Sequence, residues 1–155
     1  DTDFFESSDI VISDDDIIFS ALSSIFSFNI HNGNINWKED IGTKNTPVVD
    51  GNNIFLVTDN GYFINIDKKL GKIIWSINIL KVLKKKKRLT NIMGFVVGSG
   101  KIYAVTLNGH LIVWSVVSGE VEYFKRVASM IIAAPIISDG SLYILTENSR
   151  ILGFN

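Results

Sequence analysis

The sequence predicts an all-β chain in which one four-stranded antiparallel meander is repeated. The first observation is the stretch Thr46 to Trp75, TPVVDGNNIFLVTDNGYFINIDKKLGKIIW, with apolar runs at Val48-Val49, Ile54 to Val57, Tyr62 to Ile66 and Ile73 to Trp75. The second is its punctuation. Asp50-Gly51-Asn52-Asn53, Asp59-Asn60-Gly61 and Lys68-Lys69-Leu70-Gly71 separate the runs, and Gly, Asn and Asp tolerate the positive φ that tight hairpins demand. The third is recurrence. Pro47 is followed seven residues later by Ile54 and fourteen later by Gly61, Pro135 at the same distances by Leu142 and Ser149, and Phe95 by Ile102 and Gly109. Gly33, Gly71 and Gly119 are each followed four residues on by an aromatic, Trp37, Trp75 and Tyr123.

A small twisted sheet of four short strands cannot bury both faces alone, so such units stack face to face as the blades of a β-propeller. Residues 1–155 are therefore expected to form a partial propeller of about three and a half blades, where a closed one needs four to eight. The blades are placed at residues 9–38, 46–78 and 94–126, with an incomplete one at 134–155. That shortfall suggests a piece of a longer protein with an open blade edge, and open edges recruit further strands, including those of a second copy.

In the first blade, Val11-Ile12, Ile17 to Phe19, Ile25 to Phe28 and Ile35 to Trp37 match the four strands. Its second hairpin, near Ala21 to Ser24, is one residue shorter than that of the second blade. The preceding Asp1 to Ser8 is acidic and carries Phe4-Phe5 beside Glu6. It reads either as a connecting loop or as a partner contact, since aromatics beside acids suit a polar-rimmed interface.

After the second blade, a loop at 79–93 lengthens the connection and contains Lys84, Lys85, Lys86, Lys87 and Arg88. Five consecutive cations repel one another and belong in solvent. The functional readings of the run are an acidic protein surface or anionic lipid, and less readily nucleic acid, because no aromatic interleaves the charges. In the third blade Trp114 ends the third strand and Tyr123 replaces Trp at the closing position; both are expected in or near the core. In the fourth, Pro135 opens the first strand as Pro47 does, at a position that tolerates a missing donor.

A net charge of −1 gives no general polyanion-binding character. The lack of cysteine excludes thiolate catalysis, thiolate metal sites and disulfides. No apolar run reaches the roughly 20 residues of a membrane-spanning helix. His31 and His110 each stand alone beside a turn glycine, Ser23-Ser24 lacks a nucleophile-elbow setting, and the glycines end in strands instead of opening a helix over phosphate. Asp14-Asp15-Asp16 lacks the alternating oxygens and closing Glu of a calcium loop and reads as a solvated turn. No catalytic, cofactor or metal residue is assigned.

The pattern P-Φ-Φ-D-G-x-x-Φ-Φ-Φ-Φ-T-x-N-G, continued by G-K-x-x-W, resembles the PQQ-like propeller repeat. In that family the blade-closing Trp docks on the neighbouring blade, which makes Trp37, Trp75, Tyr123, Gly33, Gly71 and Gly119 the expected blade-docking residues. Some members are quinoprotein dehydrogenases with the quinone and calcium near the axis; this chain lacks their vicinal cysteines and cofactor-enclosing insertions.

Within the repeat class, the sequence is similar to the C-terminal half of the BamB family. The likeness rests on Ile35 to Lys38 running through Asp40-Ile41-Gly42 into Val48 to Asn52, on Gly109-His110-Leu111 with Ser118-Gly119-Glu120, and on the ending from Ala134 to Asn155. The resemblance implies a non-enzymatic scaffold, lipid-anchored on the periplasmic side of the outer membrane. It would bind the POTRA domains of BamA and assist the folding and insertion of outer-membrane proteins. It also places Phe4, Phe5 and Glu6 in a partner-contacting loop. The alternatives are a fragment of a PQQ-dependent dehydrogenase and a generic interaction propeller.

Overall fold

The computed structural model describes residues 7–43, 45–58, 60–82 and 92–155. Four antiparallel sheets follow one another along the chain. The first is β1 (Val11–Ser13), β2 (Asp16–Ala21), β3 (Ser24–Asn29) and β4 (Ile35–Glu39); the second is β5 (Val48–Asp50), β6 (Asn53–Val57), β7 (Tyr62–Asp67) and β8 (Ile73–Asn78). A short helix, α1 (Ile79–Val82), precedes the third sheet, β9 (Ile92–Gly98), β10 (Lys101–Thr106), β11 (His110–Ser115) and β12 (Val121–Arg126). The fourth has three strands, β13 (Ile136–Ser138), β14 (Ser141–Leu145) and β15 (Ile151–Phe154). Every sheet is a simple meander in chain order. The chain divides into two compact units, Asp1–Asn78 and Ile79–Asn155, each holding two sheets.

The turn chemistry explains the punctuation read in the sequence. Thr58, Thr106 and Thr146 each accept a bond from the N–H three residues on, at Gly61, Gly109 and Ser149, closing the second hairpin in three of the sheets. The third connection is a second repeated device. The backbone carbonyls of Asn29, Asp67 and Ser115 accept the N–H of Gly33, Gly71 and Gly119. Their side chains also cap the turn: Asn29 Oδ1 accepts from the His31 and Asn32 amides, Asp67 Oδ1 from Lys69 and Leu70, and Ser115 Oγ from Ser118. Short polar side chains that bond to the backbone a few residues on favour such turns over strand continuation.

One irregularity recurs in every fourth strand. Register slips by one residue between Ser27 and Phe28 against β4, between Asn65 and Ile66 against β8, and between Val113 and Trp114 against β12. Each slip leaves Asn36, Ile74 or Glu122 as the extra residue of a bulge, immediately before the aromatic at Trp37, Trp75 or Tyr123. A bulge bends the strand and re-aims the next side chain.

In the first unit the core is Ile18, Ile25, Trp37, Ile54, Leu56, Ile64 and Ile66, drawn from both sheets. In the second it is Val105, Leu111, Val113, Ile131, Leu142 and Ile144. Fully burying an aliphatic side chain of this kind contributes about 1.5–3 kcal/mol. The second unit also relies on close backbone approach. A Cβ on Gly94 would lie 2.4 Å from the Ala134 Cβ, and one on Gly109 would lie 2.0 Å from the Ala128 carbonyl oxygen. No helix among the described residues is long and apolar enough to cross a membrane.

Candidate functional site

At Trp37 the bulge at Asn36 turns the indole onto the second sheet. The indole Nε1–H donates to the Lys68 carbonyl at 2.7 Å, and a Cβ on Gly71 would lie 2.7 Å from the ring. Gly71 is therefore required twice, by its φ of +70° and by the indole against it. Lys68 fastens the same junction. Its amide donates to the Asn52 carbonyl, and its side chain, only 5% exposed, carries Nζ back to the Ser13 hydroxyl at 3.2 Å and to the Asp14 carboxylate. The Lys68 hydrogen bond and charge hold the Asp14 carboxyl below the usual carboxylate range.

The other expected docking residues divide. Trp75 packs on Phe55 and Phe63 of its own sheet, with ring centroids 6.0 and 5.7 Å apart. Trp114 is fully buried, whereas Tyr123 is 42% exposed, which corrects its expected place in or near the core. The physical reason lies in its place on β12, the outermost strand of the third sheet, along which every residue from Glu122 to Arg126 is exposed. Gly33 and Gly119 adopt φ of +70° and +69° as turn residues, and nothing lies within 4 Å of a Cβ built on Gly33. Phe4, Phe5 and Glu6, and the cations Lys84, Lys85, Lys86, Lys87 and Arg88, lie outside the described residues.

Asp14-Asp15-Asp16 is the solvated turn expected, Asp14 and Asp15 being exposed, and its carboxylates are also paired. Asp14 meets Lys68, Asp15 lies 3.0 Å from His31 Nε2, and Asp16 Oδ1 accepts from the Asn36 amide at 2.9 Å. His110 stacks on Phe124 with centroids 5.1 Å apart. Among the described residues no group of three or more His, Cys, Asp or Glu is placed to hold a metal ion.

A groove lies at the opposite end of the first unit. Of about 370 Å³, it is lined by Ser23, Asp40, Ile41, Thr58, Asn60 and Tyr62, with Gly42 and Ile64 completing it. Its parts come from the hairpin after β2, the hairpin after β6 and the connection from β4 to β5. That connection is pinned to the sheet, because the buried Thr43 amide donates to Ser20 Oγ at 3.4 Å and Ser20 Oγ donates to the Ser24 carbonyl. On the far wall, Thr58 Oγ1 donates to Asn60 Oδ1 and accepts from the Tyr62 amide.

Asp40 stands on the rim, accepting from Ser24 Oγ at 3.0 Å and pairing with Lys38 Nζ at 3.1 Å. The Lys38 hydrogen bond, with help from Ser24, lowers its carboxyl below the ordinary value, so it is ionised at neutral pH. Among the described residues the groove thus offers an apolar side from Ile41 and Ile64, a phenol, a hydroxyl and amide rim, and the exposed Asp40 carboxylate. This composition suits a protein loop bringing an apolar anchor beside a cation. The sequence reading missed it, since its residues look like ordinary turn residues until the register brings two blades together.

A profile of the family described as "Outer membrane protein assembly factor BamB" matches residues 6–77 and 81–155. No curated protein matches the sequence. Among solved structures, BamB from Moraxella catarrhalis superposes with a TM-score of 0.74 at 15% identity, covering 95% of this chain and 45% of that one. The computationally designed Ika4 protein superposes with a TM-score of 0.77 at 12% identity, covering 99% of this chain and 92% of that one. A quinohemoprotein alcohol dehydrogenase from Comamonas testosteroni gives 0.72 at 13%, covering 90% and 28%. At such identities these likenesses establish the fold, and this chain spans less than half the length of the BamB it resembles.

Proposed function

The chain belongs to the family described as outer membrane protein assembly factor BamB, a PQQ-like β-propeller repeat family, and from that premise we propose that it is a non-enzymatic scaffold of the β-barrel assembly machinery. In this reading it works on the periplasmic side of the outer membrane and docks the POTRA domains of BamA, so that outer-membrane proteins are presented for folding and insertion. The observation that carries the reading to particular residues is the groove beside Asp40, with its hydrogen-bonded walls and exposed Asp40 carboxylate.

A scaffold of this kind gains affinity from a few anchors on a rigid surface more than from total area. The Ser20, Ser24 and Thr43 bonds hold the rim before any partner arrives, which lowers the ordering cost of binding. Asp40 contributes orientation and encounter rate, as rim charges do.

The test is calorimetric titration with the POTRA domains of BamA from the same organism, with PQQ plus calcium as a parallel titrant. Saturable POTRA binding that weakens about tenfold in Asp40→Lys, with no heat from PQQ, supports the reading. Saturable PQQ binding without a POTRA response would overturn it in favour of a dehydrogenase fragment. The segment Phe4 to Glu6 and the cations Lys84 to Arg88 are then substituted in the same assay, to learn whether either adds to the groove.

A further inference from the structure

The Asp40 carboxylate on the groove rim already holds a cation. Lys38 Nζ lies 3.1 Å from its Oδ1, and the Ser24 hydroxyl donates to the same oxygen at 3.0 Å, while Oδ2 accepts no bond among the described residues. We propose that Lys38 is an internal competitor at the groove: it caps Asp40 in the free chain and yields the carboxylate to an arginine side chain of the docking partner, withdrawing over the Phe26 ring.

The register gives Lys38 both positions. It pairs across the ladder with Phe26 of β3, and its Nζ lies over that ring, 5.8 Å from the centroid. Asp40 stands two residues on, just past the end of β4. Phe26 is steadied in turn by Phe19 and Phe28, whose ring centroids lie 5.6 and 6.0 Å from its own. An aromatic face attracts an ammonium within about 6 Å, and a lysine keeps its stem on apolar surface while its head changes partner. A Lys38 that loses Asp40 therefore keeps a seat, which lowers the cost of displacing it.

The chemistry selects the displacing group. A guanidinium grips a carboxylate through two parallel N–H donors, one to each oxygen, whereas an ammonium is a point charge that one oxygen satisfies. Lys38 and Ser24 fill Oδ1, so a partner's lysine is left with Oδ2 beside a like charge. An arginine that takes Oδ2 also reaches Oδ1 and supplants Lys38. The Asp40 side chain is 85% exposed and that of Lys38 49%, so the exchange needs side-chain motion alone. Exposed ion pairs of this kind are weak, which leaves the pair open to exchange. Lys38 thus tunes the docking site proposed above, and its role rests on that reading: it disfavours partners that bring no arginine.

The test compares Lys38→Met, which keeps the stem and removes the charge, with Lys69→Met, which removes an exposed charge of the same sign from the turn beneath Trp37. In calorimetric titration with the POTRA domains, Lys38→Met should bind about threefold tighter than the parent and Lys69→Met like the parent. The gain should vanish when Asp40 is replaced by Asn in both members of the comparison. With POTRA arginines changed one at a time to lysine, one change should weaken binding to the parent more than to Lys38→Met, since a lysine can use the vacated oxygen. Carboxyl NMR titration without any partner should show Asp40 rising toward its ordinary pKa in Lys38→Met, the Lys38 hydrogen bond being the largest cause of its lowering. Unchanged or weaker binding of Lys38→Met, equal tightening by Lys69→Met, no arginine that behaves as stated, or an Asp40 titration indifferent to Lys38 would overturn the competitor and leave the docking reading standing. Absent POTRA binding by the parent and Lys38→Met alike would overturn both.

Discussion

The two junctions, sheet one on sheet two and sheet three on sheet four, are built from the same repeat and held by different means. In the first, side chains carry the load: the Trp37 indole lies on Gly71 and bonds to Lys68, and Lys68 reaches back to Asp14. In the second, Tyr123 is exposed, and Ser99, with φ of +52° against +53° for Asp14, stands in Asp14's place in the first hairpin. There the apolar core from Val105 to Ile144 is joined by the close approach of Gly94 to Ala134 and of Gly109 to Ala128, with no side-chain clasp like that of Trp37 and Lys68 among the described residues. A repeat preserves turns and register, while the means of joining neighbours is free to differ.

Substitutions should expose this difference. The largest expected effect is Trp37→Ala, which removes a buried aromatic and leaves the Lys68 carbonyl without its donor; a loss of about 3–5 kcal/mol in urea unfolding is expected. Gly109→Ala should follow at about 2–4 kcal/mol, because φ is +82° and the new methyl meets the Ala128 carbonyl. In this variant the amide exchange of β13 to β15 should accelerate more than that of β1 to β4.

A smaller effect is expected of Asp14→Asn, and it is read in the pH dependence of stability. Lys68 lowers the Asp14 pKa in the folded chain, so the contribution is fully present above the unfolded value of about 4 and is lost as pH falls through the folded value. The variant should be flatter than the parent in acid denaturation below about pH 4 and parallel to it above. The smallest effect is Tyr123→Ala, below about 1 kcal/mol for so exposed a ring. Equal losses at Trp37 and Tyr123 would erase the contrast between the junctions.

Much of the strand order was legible because its punctuation is local. Gly51, Gly61, Gly71 and their counterparts mark positive-φ turns, and the Thr-x-Asn-Gly spacing sets hairpin length. The bulges at Asn36, Ile74 and Glu122 were not legible, since a contiguous apolar run such as Ile73-Ile74-Trp75 hides a one-residue slip. Nor was the Lys68–Asp14 pair, whose members lie 54 residues apart and look like unrelated turn charges. The groove was illegible for the same reason: Ser23, Asp40 and Asn60 converge only when two blades pack. The short helix α1 interrupts a segment that the charge pattern describes simply as a loop.

The central claim is that this chain docks a partner through the groove end of its first unit. Strand β7 joins that end to the opposite one, with Asn60 just before it in the groove and Lys69 just after it on the turn beneath Trp37. Photo-cross-linking from a benzoylphenylalanine at Asn60, compared with one at Lys69, in the presence of the POTRA domains tests the claim directly. Cross-links from Asn60 and none from Lys69 are the predicted result. Cross-links from Lys69 alone, or none from either at saturating POTRA domain, would contradict it.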